Sequence, residues 1–548
     1  MSSHFPHSPW RVTAGDETAT RLVAECFAAT SEAGDLITLS GDLGAGKSTF
    51  ARFFIRALLG DDDAEVPSPT FTLVQHYETP RFEVRHFDLY RLSGADELDE
   101  LDFDDPGDVL VRLVEWPDRG EGLMGPDRFD IHLEESGEGD CCRIITVQGH
   151  GEASDRVARI ARMHGFLSGL FDAATSGAVR VAHLQGDASS RSYARVTFSQ
   201  TPVRIEGFGS MEHASALVMD MPRMGDGPVI RDGKTYSEIA HLAEDAVPFV
   251  VISEALQDAD LAAPQIFAFD EAAGLALIED FGDLTFSAAL AQGVAQDTLW
   301  HAAVDVLVHL HRAPPPETIS VARFGGLEHR MPRYDAEVLA AEVDLFCTWY
   351  WPYCTGAAME DDARAAFHEI WRGLIDTVAW QADTPARQHW VLRDFHSPNL
   401  IWRPDRDGLQ RVGLIDFQDA QIGHAAYDLM SLAEDARLDV DKALWDELIA
   451  RYCTAVFGDA AGEAARDFRR AAAILGAQRN TKILGIFARL ALRDGKPRYL
   501  DHLPRIQRYL GWDLAHADLT VLNGWFEQAA LELPSFPPEL ERIMRHGQ

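Results

Sequence analysis

The segment Gly41-Asp42-Leu43-Gly44-Ala45-Gly46-Lys47-Ser48 fits G-x-x-x-x-G-K-[ST] at every fixed position. Such a loop works only between a buried strand and a helix, because its backbone N–H groups must converge on phosphate oxygens at the helix N-terminus. The flanks supply both elements. Asp35–Ser40 (DLITLS) reads as a short buried strand, and Ser48–Leu59 as a helix, with a further helix from Thr18 to Ala29. Gly41, Gly44 and Gly46 give the loop its conformational freedom. Lys47 is expected to reach the β- and γ-phosphates, Ser48 to ligate Mg²⁺, and Thr49 to face the nucleotide at the helix start.

A second phosphate-handling signature lies far downstream. Arg393-Asp394-Phe395-His396-Ser397-Pro398-Asn399 is followed by Leu414-Ile415-Asp416-Phe417, the spacing of a kinase-type catalytic loop and its later metal-binding aspartate. Asp394 is expected to orient or deprotonate an acceptor hydroxyl, while Asn399 and Asp416 hold Mg²⁺. Asp428 is read as holding the loop, and His396 as bonding backbone or substrate. The two signatures belong to unrelated ways of binding ATP, so the chain is read as two enzymes on one polypeptide. Its 548 residues exceed what a single hydrophobic core organises.

Charge bears on the partners. The net charge is −38, and residues 1–150 hold 12 Lys+Arg against 30 Asp+Glu. So acidic a segment is not expected to grip a nucleic-acid backbone directly, and any contact with RNA would run through a protein partner. No apolar run approaches the length of a bilayer span, and Met1–Trp10 has neither a basic n-region nor an apolar h-region, which predicts a cytoplasmic protein without membrane attachment. Six scattered cysteines show no metal-ligand spacing and are read as reduced thiols, with Cys141-Cys142 as buried strand residues.

Further strands are expected at Thr70–Tyr77, Phe82–Asp88, Val109–Glu115, Arg128–Leu133 and Cys142–Gln148. The polar, small-residue break at residues 149–154 sets a boundary between domains 1–150 and 151–548. Beyond it, a helix at Arg156–Phe171 precedes strands at Val179–His183, Ser192–Phe198, Ala216–Met221 and Leu275–Glu279. From Phe286 onward the chain reads as mostly helical, interrupted by Val412–Asp416. The expected fold class is an α/β P-loop NTPase followed by a bilobal α+β protein-kinase-like fold of the aminoglycoside phosphotransferase type, with an N-lobe over about 156–285 and a helical C-lobe over about 286–548.

Three more segments accompany the P-loop in order: Ser68-Pro69-Thr70-Phe71, His86-Phe87-Asp88-Leu89-Tyr90-Arg91 and Glu115-Trp116-Pro117. Asp88 and Glu115 each end an apolar strand, where carboxylates can hold a metal-bound or attacking water. Together these segments resemble TsaE, the small ATPase of bacterial tRNA threonylcarbamoyladenosine synthesis, over roughly residues 10–150. The resemblance implies catalytic and metal roles for Asp88 and Glu115, and a switch-like loop at Thr70. It also implies an ATPase that acts on companion subunits of the threonylcarbamoyltransferase complex rather than on tRNA itself. Trp116 is a candidate to stack on adenine or to close the site. Asp102 stands where that family commonly has glycine.

The second signature is accompanied by Gly186-Asp187-Ala188-Ser189-Ser190-Arg191, by Leu217-Val218-Met219-Asp220-Met221-Pro222, by Leu345-Phe346-Cys347-Thr348-Trp349-Tyr350 and by the run Ala477–Arg489. The stretch 156–510 resembles the aminoglycoside/choline phosphotransferase superfamily, and within it the anomeric kinases of N-acetylmuramate and N-acetylglucosamine that serve cell-wall recycling. The strand at Leu217–Asp220 has no phosphate-pairing lysine, as that sugar-kinase group also tends to lack one. Phosphate neutralisation then falls to Mg²⁺ and to the loop with Gly186, Ser189 and Arg191, while Glu279 sits where a hinge would receive adenine. Glu342 and Asp344, ahead of the aromatics Trp349, Tyr350 and Trp351, are candidates for sugar recognition. Arg479, Asn480 and Lys482 are either further candidates or a charged helix face. Other substrates compatible with the same machinery are an aminoglycoside, choline or homoserine, and a non-catalytic nucleotide-binding regulatory module is the remaining alternative.

Overall fold

The computed structural model describes residues 8–92, 103, 110–120, 124–137, 139, 141–171, 177–184, 191–223, 229–231 and 233–530. Gly186, Ser189 and Asp102 lie outside the described residues. The chain packs into two compact units, Met1–Pro222 with Ile266–Asp280, and Arg223–Gln265 with Phe281–Gln548.

The first unit opens with β1 (Trp10–Ala14), α1 (Glu17–Thr30), β2 (Leu36–Ser40) and α2 (Lys47–Leu59). Asp16 caps α1 by accepting the Ala19 amide at 2.8 Å, satisfying a donor that the first helical turn leaves open. β3 (Val74–Glu78), β4 (Glu83–Asp88), β5 (Leu110–Glu115), β6 (Arg128–Glu135) and β7 (Arg143–His150) complete a seven-stranded sheet in the order β1-β7-β6-β2-β5-β4-β3. β2 runs parallel to β5 and β6, and β4 parallel to β5. A central parallel strand is covered on both faces, so LITLS is buried nearly throughout. The register sets Asp88 directly beside Glu115 at the carboxyl ends of β4 and β5, where ligands of open parallel sheets bind.

Several element boundaries differ from expectation. The 70–77 strand begins only at Val74, because Thr70 turns its hydroxyl to Asp88 instead of joining a ladder. The opening strand β1 is an addition, an edge strand whose short alternating pattern is half exposed. Cys141 is exposed and Cys142 half-buried, contrary to their reading as buried strand residues, since β7 starts after them at Arg143. Cys142 Sγ donates to the Gly15 carbonyl at 2.9 Å.

Helix Ala153–Leu170 packs back on β7 and β1, and its Arg156 guanidinium reaches Asp35 at 2.9 Å and the Thr30 carbonyl at 2.8 Å. The same unit contains a second, antiparallel sheet. Its strands, in spatial order, are Ile266–Asp270, Leu275–Glu279, Ser215–Asp220, β9 (Ser192–Phe198) and β8 (Val179–Leu184). β8 is therefore an edge strand, and α1 covers it. One hydrophobic cluster runs from Phe27, Phe50 and Ile37 of the first sheet's layer through Ile160 and Leu167 to Val181, Val196 and Val218 of the second. A sheet edge left open would invite pairing with other chains, and here helix and side chains close it.

The second unit is largely helical, with short strand pairs at the expected interruption. His389–Val391 pairs with Gln421–Gly423, and Leu400–Trp402 with Val412–Leu414. Helices Gln296–Leu310, Ala336–Leu345, Ala426–Ala433, Glu463–Leu492 and Leu503–Leu514 surround them. Gly485 allows the long 463–492 helix to touch the end of Ala336–Leu345, since a Cβ there would lie 2.4 Å from the Leu345 carbonyl carbon. No helix among the described residues is long and apolar enough to cross a membrane.

Candidate active sites

In the first site, β2 delivers the chain into the loop and α2 leaves it. Gly41 has φ +133°, and a Cβ there would meet the Leu133 carbonyl oxygen at 2.1 Å, so this position admits glycine alone. Gly46, at φ +107°, turns the loop into α2. Arg143 supports the loop from behind, donating to the carbonyls of Ala45 at 2.8 Å and Gly44 at 3.3 Å. The Lys47 ammonium donates to the carbonyls of Gly41 and Asp42, each at 2.8 Å. Burial lowers its pKa, an effect that Glu115, Asp88 and Asp42 oppose.

The carboxylates follow from the register of β4 and β5. Ser48 Oγ donates to Glu115 Oε2 at 2.9 Å, and His86 Nε2 lies 3.0 Å from Glu115 Oε1. Asp88 accepts from Ser68 at 2.8 Å, from Thr70 at 2.6 Å and from the Tyr90 amide at 3.0 Å. Ser48, Glu115, Asp88, Ser68 and Thr70 line a cavity of 260 Å³ with Gly44, Gly46 and Thr49. Its hydroxyl and carboxylate donors are hard oxygens, a set that suits Mg²⁺. Trp116 stands against the Lys47 ammonium, 3.7 Å from its ring centroid, and Tyr90 flanks it. The ring thus lies against the loop lysine. His86 and Arg143 had no role in the sequence reading. Only the strand register brings His86 to Glu115, and only the β6–β7 hairpin carries Arg143 to the loop.

The second site lies in the second unit. Asp394 and Asn399 belong to the turn after strand His389–Val391, and Asp416 follows strand Val412–Leu414. Asn399 Nδ2 donates to the Asp394 carbonyl at 3.0 Å and to Asp416 Oδ2 at 3.1 Å. Arg393 and Asp416 both hold positive φ, 72° and 64°, which for non-glycine residues costs roughly 1–3 kcal/mol and persists only where the surroundings enforce it. At Arg393, Asp428 holds the backbone by accepting the amides of Leu392 at 2.6 Å and Arg393 at 2.9 Å. Burial raises the Asp428 carboxyl to about 7, against the lowering effect of those two amides. Asp435 fixes the far side of the turn by accepting the Ser397 amide at 2.7 Å. His396 is half-buried, and desolvation lowers its pKa, an effect that Asp435 and Asp394 oppose.

Behind the loop lies an ion network. Glu342, fully buried, takes Arg393 at 2.7 Å and Lys482 at 2.8 Å on Oε1, while Tyr334 donates to Oε2 at 2.6 Å. Burial alone would raise this carboxyl, but Lys482 and Arg393 hold it at about 2. Several candidates for sugar recognition are thereby committed elsewhere. Glu342 serves the catalytic loop, and Asp344 pairs with Arg364 at 2.6 Å and His368 at 2.8 Å. Tyr350 is buried against Gln507, Trp351 is buried, and Trp349 is half-buried. Nor do Arg479, Asn480 and Lys482 form a charged solvated face. All three are buried, with Arg479 on the Glu434 carbonyl at 3.1 Å and Asn480 on the Glu434 carboxylate at 2.8 Å. Glu279 ends its strand in the first unit, ahead of Asp280, which takes Arg195 at 2.8 Å and Ser215 at 2.8 Å. Arg191 precedes β9, half-buried.

Comparison with known proteins agrees with this division. Residues 14–144 match the family described as threonylcarbamoyl adenosine biosynthesis protein TsaE, and residues 181–474 match the phosphotransferase enzyme family. The chain is 36% identical over 354 residues to the N-acetylmuramate/N-acetylglucosamine kinase of Caulobacter vibrioides, which spans 64% of this chain and 92% of that protein. The kinase of the same name from Pseudomonas aeruginosa is 33% identical over 269 residues, 49% of this chain and 73% of that one. The TsaE protein of Rickettsia felis is 36% identical over 132 residues, 24% of this chain and 77% of that protein. The expected fold class, a P-loop α/β domain followed by a kinase-like phosphotransferase, holds.

Proposed function

This chain belongs to the phosphotransferase enzyme family and carries a TsaE-family ATPase domain ahead of it, and from that premise we propose a bifunctional enzyme divided near residues 149–154. The first part hydrolyses ATP in support of tRNA threonylcarbamoyladenosine formation, working through companion subunits. The second part transfers a phosphoryl group from ATP to the anomeric hydroxyl of N-acetylmuramate or N-acetylglucosamine.

Asp394 is the catalytic residue of the kinase half. Its carboxylate orients the sugar hydroxyl and takes its proton as the oxygen bonds to phosphorus and ADP leaves. Asn399 and Asp416 present oxygen donors that would hold Mg²⁺. That ion, when bound, neutralises charge on the phosphate oxygens. Asp428 keeps the loop amides fixed, so Asp394 meets its substrate without reorganising. In the ATPase half, Lys47 would leave its loop carbonyls for the β- and γ-phosphates, Ser48 and Glu115 would hold the metal, and Asp88 would position the attacking water. Gly186, Ser189, Arg191 and Glu279 are proposed to complete the kinase's nucleotide site.

The observation that carries the kinase reading is the tie from Asn399 to both the Asp394 backbone carbonyl and the Asp416 carboxylate, which joins the turn bearing Asp394 to the aspartate that follows strand Val412–Leu414. The relatives' names supply the choice of sugar. The test is a phosphorylation assay on the full chain with Mg²⁺-ATP and five acceptors: N-acetylmuramate, N-acetylglucosamine, homoserine, choline and an aminoglycoside. A sugar 1-phosphate that disappears in Asp394→Asn is the expected result. Phosphate on another acceptor would replace the substrate, and no transfer at all would favour a regulatory module. For the ATPase half, Lys47→Ala should abolish the hydrolysis that companion subunits stimulate.

A further inference from the structure

Among the described residues, a carboxylate, a thiol and an imidazole that take no part in the phosphate chemistry above come together in the second unit. Asp344 lies in the last turn of helix Ala336–Leu345, and Cys347 follows three residues later, on the same face. His368 comes from the helix packed against it, Asp361–Ile375. One ligand atom from each of the three lies within 4.8 Å of the other two. Cys347 sits in a π-helical turn, Phe346–Tyr350, a form that is rare and frequent at functional sites.

An ion pair accounts for only part of this cluster. Arg364 Nη2 donates to Asp344 Oδ2 at 2.6 Å and to Oδ1 at 2.7 Å, and His368 Nε2 lies 2.8 Å from Oδ1. The Cys347 thiol takes part in neither contact. Thiolate, imidazole and carboxylate together make a borderline-soft donor set, which suits Zn²⁺ and discriminates against Mg²⁺. A zinc ion would stand where His368 and Asp344 share a proton, with Arg364 on Oδ2 as the outer partner that orients the carboxylate. Burial pushes the Cys347 thiol up to about 12, with Asp344 adding to the rise and Arg364 opposing it. Ligation therefore breaks the S–H bond, forms a sulfur–zinc bond and releases the proton to solvent. His368 also lines a cavity of 370 Å³ with Ala340, Val343 and Trp371, which opens a route to the imidazole.

We propose that Asp344, Cys347 and His368 form a zinc site that clasps the end of helix Ala336–Leu345 to helix Asp361–Ile375. The ion would brace the helix whose Glu342 holds Arg393 of the catalytic loop. The site does not depend on which acceptor the kinase phosphorylates.

The experiment is titration of the reduced full chain with Zn²⁺, and with Co²⁺ as a coloured substitute, in excess Mg²⁺ to occupy the hard-oxygen sites. The proteins are the wild type, Cys347→Ser, His368→Gln and Asp344→Asn. The wild type should bind one equivalent of Co²⁺ with a thiolate charge-transfer band that Cys347→Ser lacks. Each variant should weaken binding by about 100-fold or more, because even outer-shell partners of a metal site cost roughly 10- to 100-fold. Zn²⁺ should raise the thermal midpoint of the wild type and leave that of His368→Gln unmoved. His368 is half-buried, so His368→Gln decides the matter if Cys347→Ser does not fold. Binding without the thiolate band, binding that His368→Gln leaves unchanged, or no binding of either metal would overturn the site.

Discussion

The Glu25 carboxylate on α1 accepts the amide proton of Val181 on edge strand β8 at 2.9 Å, in the interior of the first unit. A side chain of the nucleotide-binding domain thereby completes the hydrogen bonding of the phosphotransferase's first sheet. Arg21 adds bonds to the Gly177 and Val179 carbonyls at 3.1 and 3.3 Å, and Arg180 reaches Asp62 at 2.6 Å just beyond the end of α2. The join between the two enzymes is a packed, polar-satisfied interface rather than a tether.

Glu25→Ala should therefore destabilise the first unit by about 1–3 kcal/mol, because it strands the buried Val181 amide. Glu25→Gln, which retains an acceptor for Val181, should cost less. Denaturant unfolding of the full chain measures both. Equal stability of Glu25→Ala and wild type would show that the contact contributes nothing.

The same residue predicts a pH dependence. Burial raises its carboxyl from an ordinary 4.5 to about 7, against the lowering effects of the Val181 amide, Arg21 and Arg180, while Asp62 adds to the rise. A folded-state pKa above the unfolded one gives stability that is fully present below about 4.5 and lost as pH climbs through 7. The change is roughly 3 kcal/mol. Asp428 slopes the same way, so the informative quantity is wild type minus Glu25→Gln. That difference should vary between pH 4.5 and 7, and a flat difference would refute the assignment.

Asp428→Asn should act on turnover more than on binding. An amide oxygen can replace only part of a carboxylate that accepts two loop amides, so the Arg393–Asp394 backbone loosens. We expect kcat on the sugar to fall about 10- to 100-fold with little change in KM. A rise in KM alone would place Asp428 in substrate binding instead.

Removing Glu342 leaves Arg393 and Lys482 buried without the carboxylate they share. Glu342→Ala should cost about 3–5 kcal/mol in stability. Chemical denaturation tests this, and a loss under 1 kcal/mol would mean that water replaces the carboxylate.

Gly41→Ala should abolish ATP hydrolysis at the first site, since the added methyl meets the Leu133 carbonyl at 2.1 Å and the backbone stands at φ +133°. The check is ATP hydrolysis in an Asp394→Asn background, which silences turnover at the second site, and hydrolysis that persists in Gly41→Ala would refute the expectation.

Much of the chemistry was legible in the sequence because it is local. The P-loop compresses strand, glycines, lysine and serine into a single run, and Asp394, Asn399 and Asp416 lie close enough in the chain to form a recognisable spacing. Strand ends also point to Asp88 and Glu115, which line the cavity beside the P-loop. What failed was the reading of charged residues on helices. Arg479, Asn480 and Lys482 look like a solvated face in a one-dimensional pattern, yet each is buried against a partner more than 40 residues away in sequence, such as Glu434 or Glu342.

Local spacing in the chain points to two ATP-using enzymes and to candidate residues for each site, because phosphate chemistry demands glycines, lysine, asparagine and aspartates at fixed local intervals. How the remaining charges pair is set by packing. Whether a glutamate recognises a sugar or neutralises an arginine depends on which cation lies within about 3 Å of it, a distance that packing sets. The same holds for the join between the enzymes, where Glu25 meets Val181, 156 residues away in sequence, only because α1 folds onto the edge of the second sheet.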